Sequence, residues 1–334
     1  MERTPPPGAC ELREAGPELA AKVYAASHGL WGAGLSESAY RGMWLELAAL
    51  PWARKRFRLI VWTDDGHRVL SSAKVYRPRI RIGSSRGDAC GIGAVFTPVA
   101  HRGKGHARAM LLRVLAEAGA RGDEIALLFS DIAPRLYESL GFRALEAEEA
   151  VGSLRRSGER RGSALRMRPL RDADLPEVRA AQAAAAGRRT FAVERDAEHW
   201  RFLLARSEAY FRRFDGSDTA RRFRVAERDG SFVGYLAAVE TDDVWDLREV
   251  GAAGDDPETL AAVARAGAQE ARDAGMRTVR GWFPKDWREL LPEWGLRFRP
   301  RTHAVPMIRP IAADPALVRS VTADGAFIPY LDQF

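Results

Sequence analysis

Apolar positions along this chain change their period several times, and each change predicts an element. Leu19, Val23 and Ala26 recur at helical spacing after Pro17, which predicts a helix over 17–28. Ser36 stands where an N-cap belongs and predicts a second helix through Leu47. The period then drops to that of strands over 57–63 and 69–76, separated by Asp64-Asp65-Gly66-His67, a hairpin signal. A third β-rich run, 90–97, ends at Pro98. Ala107, Met110, Leu111, Val114, Leu115 and Ala118 share one face of a long helix over 103–120. The continuous apolar run 125–129 predicts a strand buried on both faces, and a short helix over 134–140 stops at Gly141.

Residues 152–162 (GSLRRSGERRG) hold almost nothing to bury and predict a linker. It divides a first unit, 1–151, from a second, 163–310, with a tail at 311–334. After the linker the order repeats. Strands are predicted at 165–170, 223–227, 232–239 and 245–250, with a helix start at 172–176 and helical material at 199–210. A helix over 257–274, a strand over 278–282, a short helix over 285–291 and extended pieces at 296–299 and 305–308 follow. Gly141-Phe142 matches Gly295-Leu296 and Phe129 matches Phe283, both 154 residues apart. The pattern predicts an α/β (α+β) chain of two tandem mixed-sheet units, the second diverged.

Composition narrows the function classes. The 334 residues fit two domains, and no apolar run approaches the roughly 18 residues of a membrane span. The N-terminus lacks a positive region followed by an apolar stretch, so a secretory signal is not expected and a cytoplasmic location is. Cys10 and Cys90 have no metal-ligand spacing, which excludes a disulfide framework and a structural zinc site. The net charge is +7 and nearly all of the positive charge is arginine, with lysine only at positions 22, 55, 74, 104 and 285. Such a balance suits a solvated surface, or an anionic partner such as a polyphosphate cofactor or nucleic acid. No helix-turn-helix, zinc-finger or RNP pattern occurs, which disfavours nucleic acid.

The segment carrying chemistry is Val95-Phe96-Thr97-Pro98-Val99-Ala100-His101-Arg102-Gly103-Lys104-Gly105-His106-Ala107. A strand ends, a glycine-rich turn follows and a long helix begins. Helix N-termini present unpaired N–H groups and attract phosphate. Gly103, Gly105 and the small Ala107 allow close approach of backbone to a ligand, and Arg102 and Lys104 add positive charge. Arg108 stands where a third glycine of a dinucleotide fingerprint belongs, and the Walker pattern is absent.

Arg-x-x-Gly-x-Ala after a strand resembles the acyl-CoA pyrophosphate loop of the GNAT superfamily of N-acetyltransferases. Leu136-Tyr137-Glu138-Ser139-Leu140-Gly141-Phe142 resembles that family's Y-E-x-x-G-F segment. Val99 stands where the family has proline three residues before the loop arginine, and Pro98 lies one position earlier. The resemblance implies two tandem GNAT-like domains and acetyl-CoA as acyl donor. It implies pantetheine pairing at Val95 and Thr97, and a pyrophosphate on Gly103, Lys104, Gly105, His106 and Ala107 beside Arg102. A primary amine, lysine-like or another small molecule, would attack directly, with Tyr137 as the acid for the thiolate. In the second unit Asp255 and Asp256 occupy the helix start and Leu291 takes the place of Tyr137, so that copy is expected to lack a CoA site.

Two closer resemblances exist within the superfamily. His28-Gly29-Leu30-Trp31, Leu35-Ser36 and Phe129-Ser130-Asp131-Ile132 are similar to fungal-type lysine N-acetyltransferases. The tandem layout resembles the enhanced-intracellular-survival type, without room for its third domain. In that type the chain's terminal carboxylate returns to the active site as base, and this chain also ends in phenylalanine. The resemblance therefore implies the Phe334 α-carboxylate as base, with Asp332 as a neighbouring carboxylate. The alternative to an enzyme is a CoA-binding regulatory module without turnover. A homo-oligomer is compatible with either.

Overall fold

A computed structural model describes residues 10–32, 34–64, 68–131, 134–154, 165–211, 223–283, 285–322 and 324–333. Most of the arginine-rich linker, the hairpin residues 65–67 and the terminal Phe334 lie outside the described residues.

The first half runs β1 (Cys10–Glu14), α1 (Pro17–Trp31), α2 (Glu37–Ala48), α3 (Pro51–Arg56), β2 (Phe57–Asp64) and β3 (Val69–Tyr76). It continues with β4 (Arg79–Ile82), β5 (Ser85–Phe96), α4 (His106–Ala120), β6 (Ile125–Ser130), α5 (Arg135–Glu138), β7 (Arg143–Ala144) and β8 (Glu148–Ser153). The second half holds β9 (Arg166–Pro169), α6 (Leu175–Gly187), β10 (Phe191–Glu194), α7 (Ala197–Phe211), β11 (Phe223–Arg228), β12 (Ser231–Thr241) and β13 (Val244–Ala252). Then come α8 (Pro257–Asp273), β14 (Thr278–Gly281), α9 (Trp287–Leu290), β15 (Arg297–Pro300), β16 (Val305–Pro310), α10 (Pro315–Ser320) and β17 (Ala326–Phe327).

Local chemistry sets the helix starts. Pro17 and Pro51 open α1 and α3 at positions whose N–H has no helical partner. The Ser36 hydroxyl accepts the Ala39 N–H at 3.3 Å and caps α2. The helix predicted from residue 103 begins at His106 instead, because Gly103 and Gly105 both take the left-handed conformation, at φ +75° and +80°.

The first sheet is antiparallel through β1-β2-β3-β5, and β5 then pairs with β6 in parallel across the α4 crossover. Ala126 and Leu128 face the core under α4, while Ile125 and Leu127 face a second cluster with Ile80, Phe191 and Ile308. The apolar run is thus buried on both faces, as its composition requires.

The two halves exchange strands. β8, whose last two residues fall in the predicted linker, lies in the second sheet between β14 and β15. β16, from the far side, pairs antiparallel with β6 in the first sheet, Val305 opposite Ser130 through Pro310 opposite Ile125. β10 pairs with β4, and β17 adds alongside β10. A continuous core joins the halves, with Trp44 and Tyr76 of the first packed in one cluster with Trp200, Phe202 and Tyr235 of the second.

Candidate active site

Beside the bulge in β5 the first sheet opens. The register between β3 and β5 shifts so that Ala94 and Val95 oppose the single residue Ala73, and Ala94 takes φ +47°. Such a bulge bends its strand and turns backbone groups out of the ladder. The parallel pairing of β5 with β6 ends at Ile92 and Leu128, and beyond that point the two strands have other partners. The result is a slot between neighbouring strands whose far end is the glycine turn.

That turn fits a phosphate. The α4 ladder starts with the Ala109 N–H donating to the Gly105 carbonyl at 2.9 Å, so the preceding N–H groups stand at the helix end. A Cβ at Gly103 or Gly105 would meet nothing within 4 Å, which leaves the approach open. Arg102 Nε donates to the Thr97 carbonyl at 3.1 Å and Lys104 Nζ to the Ala100 carbonyl at 3.0 Å, tying both cations to the turn. The Thr97 hydroxyl lies 3.1 Å from that of Ser71. Val99, which replaces the family's proline, starts a 3-10 turn through His101 and stands exposed. His106 lies just inside the helix, and burial together with His101 holds its imidazole below the ordinary range.

The slot leads into a cavity of about 690 Å³. Its lining brings Lys74 and Tyr76 of β3, Val95 of β5, Ser130 at the end of β6 with Asp131 just after it, and Tyr137 of α5 together with Arg206 of α7. Leu30 and Trp31, at the end of α1, and Leu331 and Gln333, near residue 334, also line it. Tyr137 is buried, with its ring edge-on to Phe142 at 6.1 Å, and its hydroxyl has no hydrogen-bond partner among the described residues. Burial, aided by Asp131, pushes the phenol above its usual value. The Asp131 carboxylate accepts the Ala304 N–H at 2.7 Å.

The chain end is held by a buried ion cluster. Arg195 makes a bidentate pair with Glu249 at 2.8 and 2.7 Å and donates to Asp332 at 2.9 Å, while Tyr235 donates to Glu249. One guanidinium serves two carboxylates, and burial pushes the Asp332 carboxyl up to about 6. Asp332 thus ties the tail to Arg195 through one carboxylate oxygen, while its other oxygen is buried with no partner among the described residues.

Residues 38–145 match the family model of an acetyltransferase (GNAT) domain. The chain carries a GNAT domain. The chemistry of that family is acyl transfer. The fold agrees over most of the chain. A probable N-acyltransferase from Enterococcus faecalis V583 superposes with a TM-score of 0.67 at 14% identity, covering 91% of this chain and 72% of that one. A GCN5-related N-acetyltransferase from Anabaena variabilis ATCC 29413 gives 0.67 at 15%, covering 94% and 75%. Eis1 from Mycobacterium abscessus gives 0.57 at 16%, covering 90% and 73%. At these identities the likeness speaks for the fold. No curated protein matches the sequence.

The second half of the chain has a slot in the corresponding place, where β13 and β14 part after Leu247 and Gly281. Its helix start is occupied by its own side chains. Asp256 accepts the Thr259 N–H at 2.8 Å, and Asp255 pairs with Arg188 at 3.3 Å. Leu291 is fully buried in the core. Among the described residues no helix is long and apolar enough to cross a membrane, and no group of three or more His, Cys, Asp or Glu could hold a metal.

Sequence reasoning found the turn and Tyr137 because both are local motifs. It passed over Lys74, Arg206 and Arg195. Lys74 left one signal, a charge in the β-rich run 69–76 in a chain with five lysines.

Proposed function

We propose that the protein is an acetyl-CoA-dependent N-acetyltransferase that acylates a primary amine directly, in the cytoplasm. The observation carrying this reading is the continuity of open glycine turn, parted strands and cavity, ending at a phenol with no hydrogen-bond partner among the described residues. The pyrophosphate rests on the N–H groups of residues 103–107 beside Arg102, and the pantetheine pairs with backbone at Val95 and Thr97. Backbone donors at the bulge polarise the thioester carbonyl. Tyr137, kept protonated by its raised pKa, gives its proton to the departing thiolate. The α-carboxylate of Phe334 meets the acceptor's ammonium, a role supported by Leu331 and Gln333 in the cavity wall. Catalysis belongs to the first unit, 1–151, whose sheet is completed by β16, and the rest of the second unit, 163–310, walls the acceptor side and binds no CoA.

Free thiol release from acetyl-CoA with a panel of amines tests the reaction. Tyr137→Phe removes the proton donor and keeps the packing. Turnover is expected to fall about 100-fold or more while acetyl-CoA affinity stays within about threefold. Unchanged turnover at saturation assigns the proton to water or to another group. Calorimetric titration is expected to give one acetyl-CoA per chain. Two equivalents of similar affinity would overturn the reading of Asp255 and Asp256.

A further inference from the structure

Lys74 stands in the acceptor cavity with no role yet in the transfer. It lies on β3 opposite Gly93, directly beside the bulge. The side chain is 5% exposed, and its Nζ sits 3.2 Å from the Trp44 ring centre. The rings of Tyr40 and Tyr24 close the box at 5.6 and 5.8 Å, and Nζ lies 3.4 Å from the Tyr40 hydroxyl. Among the described residues no carboxylate pairs with it. The carboxylates of this interface are engaged elsewhere, Asp131 with a backbone N–H and Glu249 and Asp332 with Arg195.

We propose that Lys74 is the proton acceptor that converts the incoming ammonium to the attacking amine. The role rests on the amine-acylation reading above. A base must be uncharged before the reaction, and the surroundings supply that condition. Burial first, and the cation Arg206 on α7 second, hold the Lys74 amine well below its ordinary range. Tyr24 on α1 and Tyr76 on the same strand are pushed up by burial and stay neutral phenols. A terminal carboxylate, with an ordinary value of about 3.5, is poorly matched to an ammonium proton and serves as its counter-ion.

The protons balance. One moves from the ammonium to Lys74 Nζ, whose new charge is held by the faces of Trp44, Tyr40 and Tyr24. The nitrogen–carbon bond forms at the thioester carbonyl and the carbon–sulfur bond breaks. Tyr137 protonates the thiolate, and the second proton of the nitrogen restores Tyr137. Lys74 returns its proton to water as the amide leaves.

The test compares wild type with Lys74→Met and Lys74→Gln, using acetyl-CoA and the most active of benzylamine, phenethylamine and cadaverine. The aminooxy analogue of that amine, unprotonated at neutral pH, is the second acceptor. Both variants are expected to bind acetyl-CoA normally by calorimetry. Each should lose about 100-fold or more in turnover of the alkylamine at pH 7, and less than about threefold with the aminooxy analogue. The wild-type kcat profile should rise with pH well below the ordinary lysine range, and the variants should lack that limb. A Gly-Ser extension after Phe334 should raise KM for the alkylamine and keep the limb. Equal losses with both acceptors, or loss of the limb in the extended chain, would overturn the role of Lys74. A wild-type profile without the limb overturns it even where the variants fail to fold. Wild type that binds acetyl-CoA and releases no thiol with any amine overturns the acylation reading itself, and the Lys74 role with it.

Discussion

Arg195→Leu should cost about 3–5 kcal/mol of stability in urea unfolding at neutral pH, the scale of breaking a buried pair from one side. The guanidinium is fully buried, stacked at 4.8 Å over Trp200, and faces both Glu249 and Asp332. Leucine would leave the two carboxylates buried without the guanidinium that pairs with both, with only the more distant Arg206 acting on Asp332. The pH dependence has a definite sign. A carboxyl whose folded pKa is raised contributes stability that is present below its unfolded value and lost as pH rises through the folded value. In wild type that window for Asp332 runs from about 4 to about 6. Without Arg195 the Asp332 carboxyl should rise further, so the deficit should be smaller in acid and larger at pH 8. A loss below about 1 kcal/mol at neutral pH would count against the cluster as the anchor of the chain end.

Gly105→Val should abolish measurable acetyl-CoA binding, a loss of at least about 100-fold in affinity by calorimetry. Gly105 has φ +80°, where a side chain costs roughly 1–2 kcal/mol and a β-branched one is a genuine outlier. The space beyond its Cα is open, so the valine methyls would enter the volume reserved for the ligand. The turn is exposed, so circular dichroism should show a folded variant. Wild-type affinity in that folded protein would remove the turn from the binding site.

Whether an element was legible in sequence depended on where its partners lie. β3 and α4 carry their own periodicity, and β3 matches its predicted range residue for residue. The predicted start of α4 missed by three residues because a glycine reads as permissive in sequence, and only the φ values place the turn. β4, β10 and β17 were not predicted at all. They are two to four residues long, and β10 exists because β4 and β17 pair with it from distant parts of the chain. The same holds for the site. The turn and Tyr137 lie in contiguous motifs, whereas Arg206 and the anchored tail reach the cavity only through packing of the second half. The box around Lys74 draws on α1, α2 and β3, and no local pattern encodes that meeting.

Reciprocal strand exchange sets a timetable for synthesis. A nascent chain that has produced β6 must extend to residues 305–310 before β16 can cover that edge. At about 5–20 residues per second, the interval on the ribosome is roughly ten to thirty seconds. Throughout it, the apolar strand beside the slot keeps a row of unpaired backbone groups exposed, the kind of edge that templates aggregation. β8 waits in turn for β14. A polypeptide that stops anywhere before residue 305 lacks the strand that covers this edge.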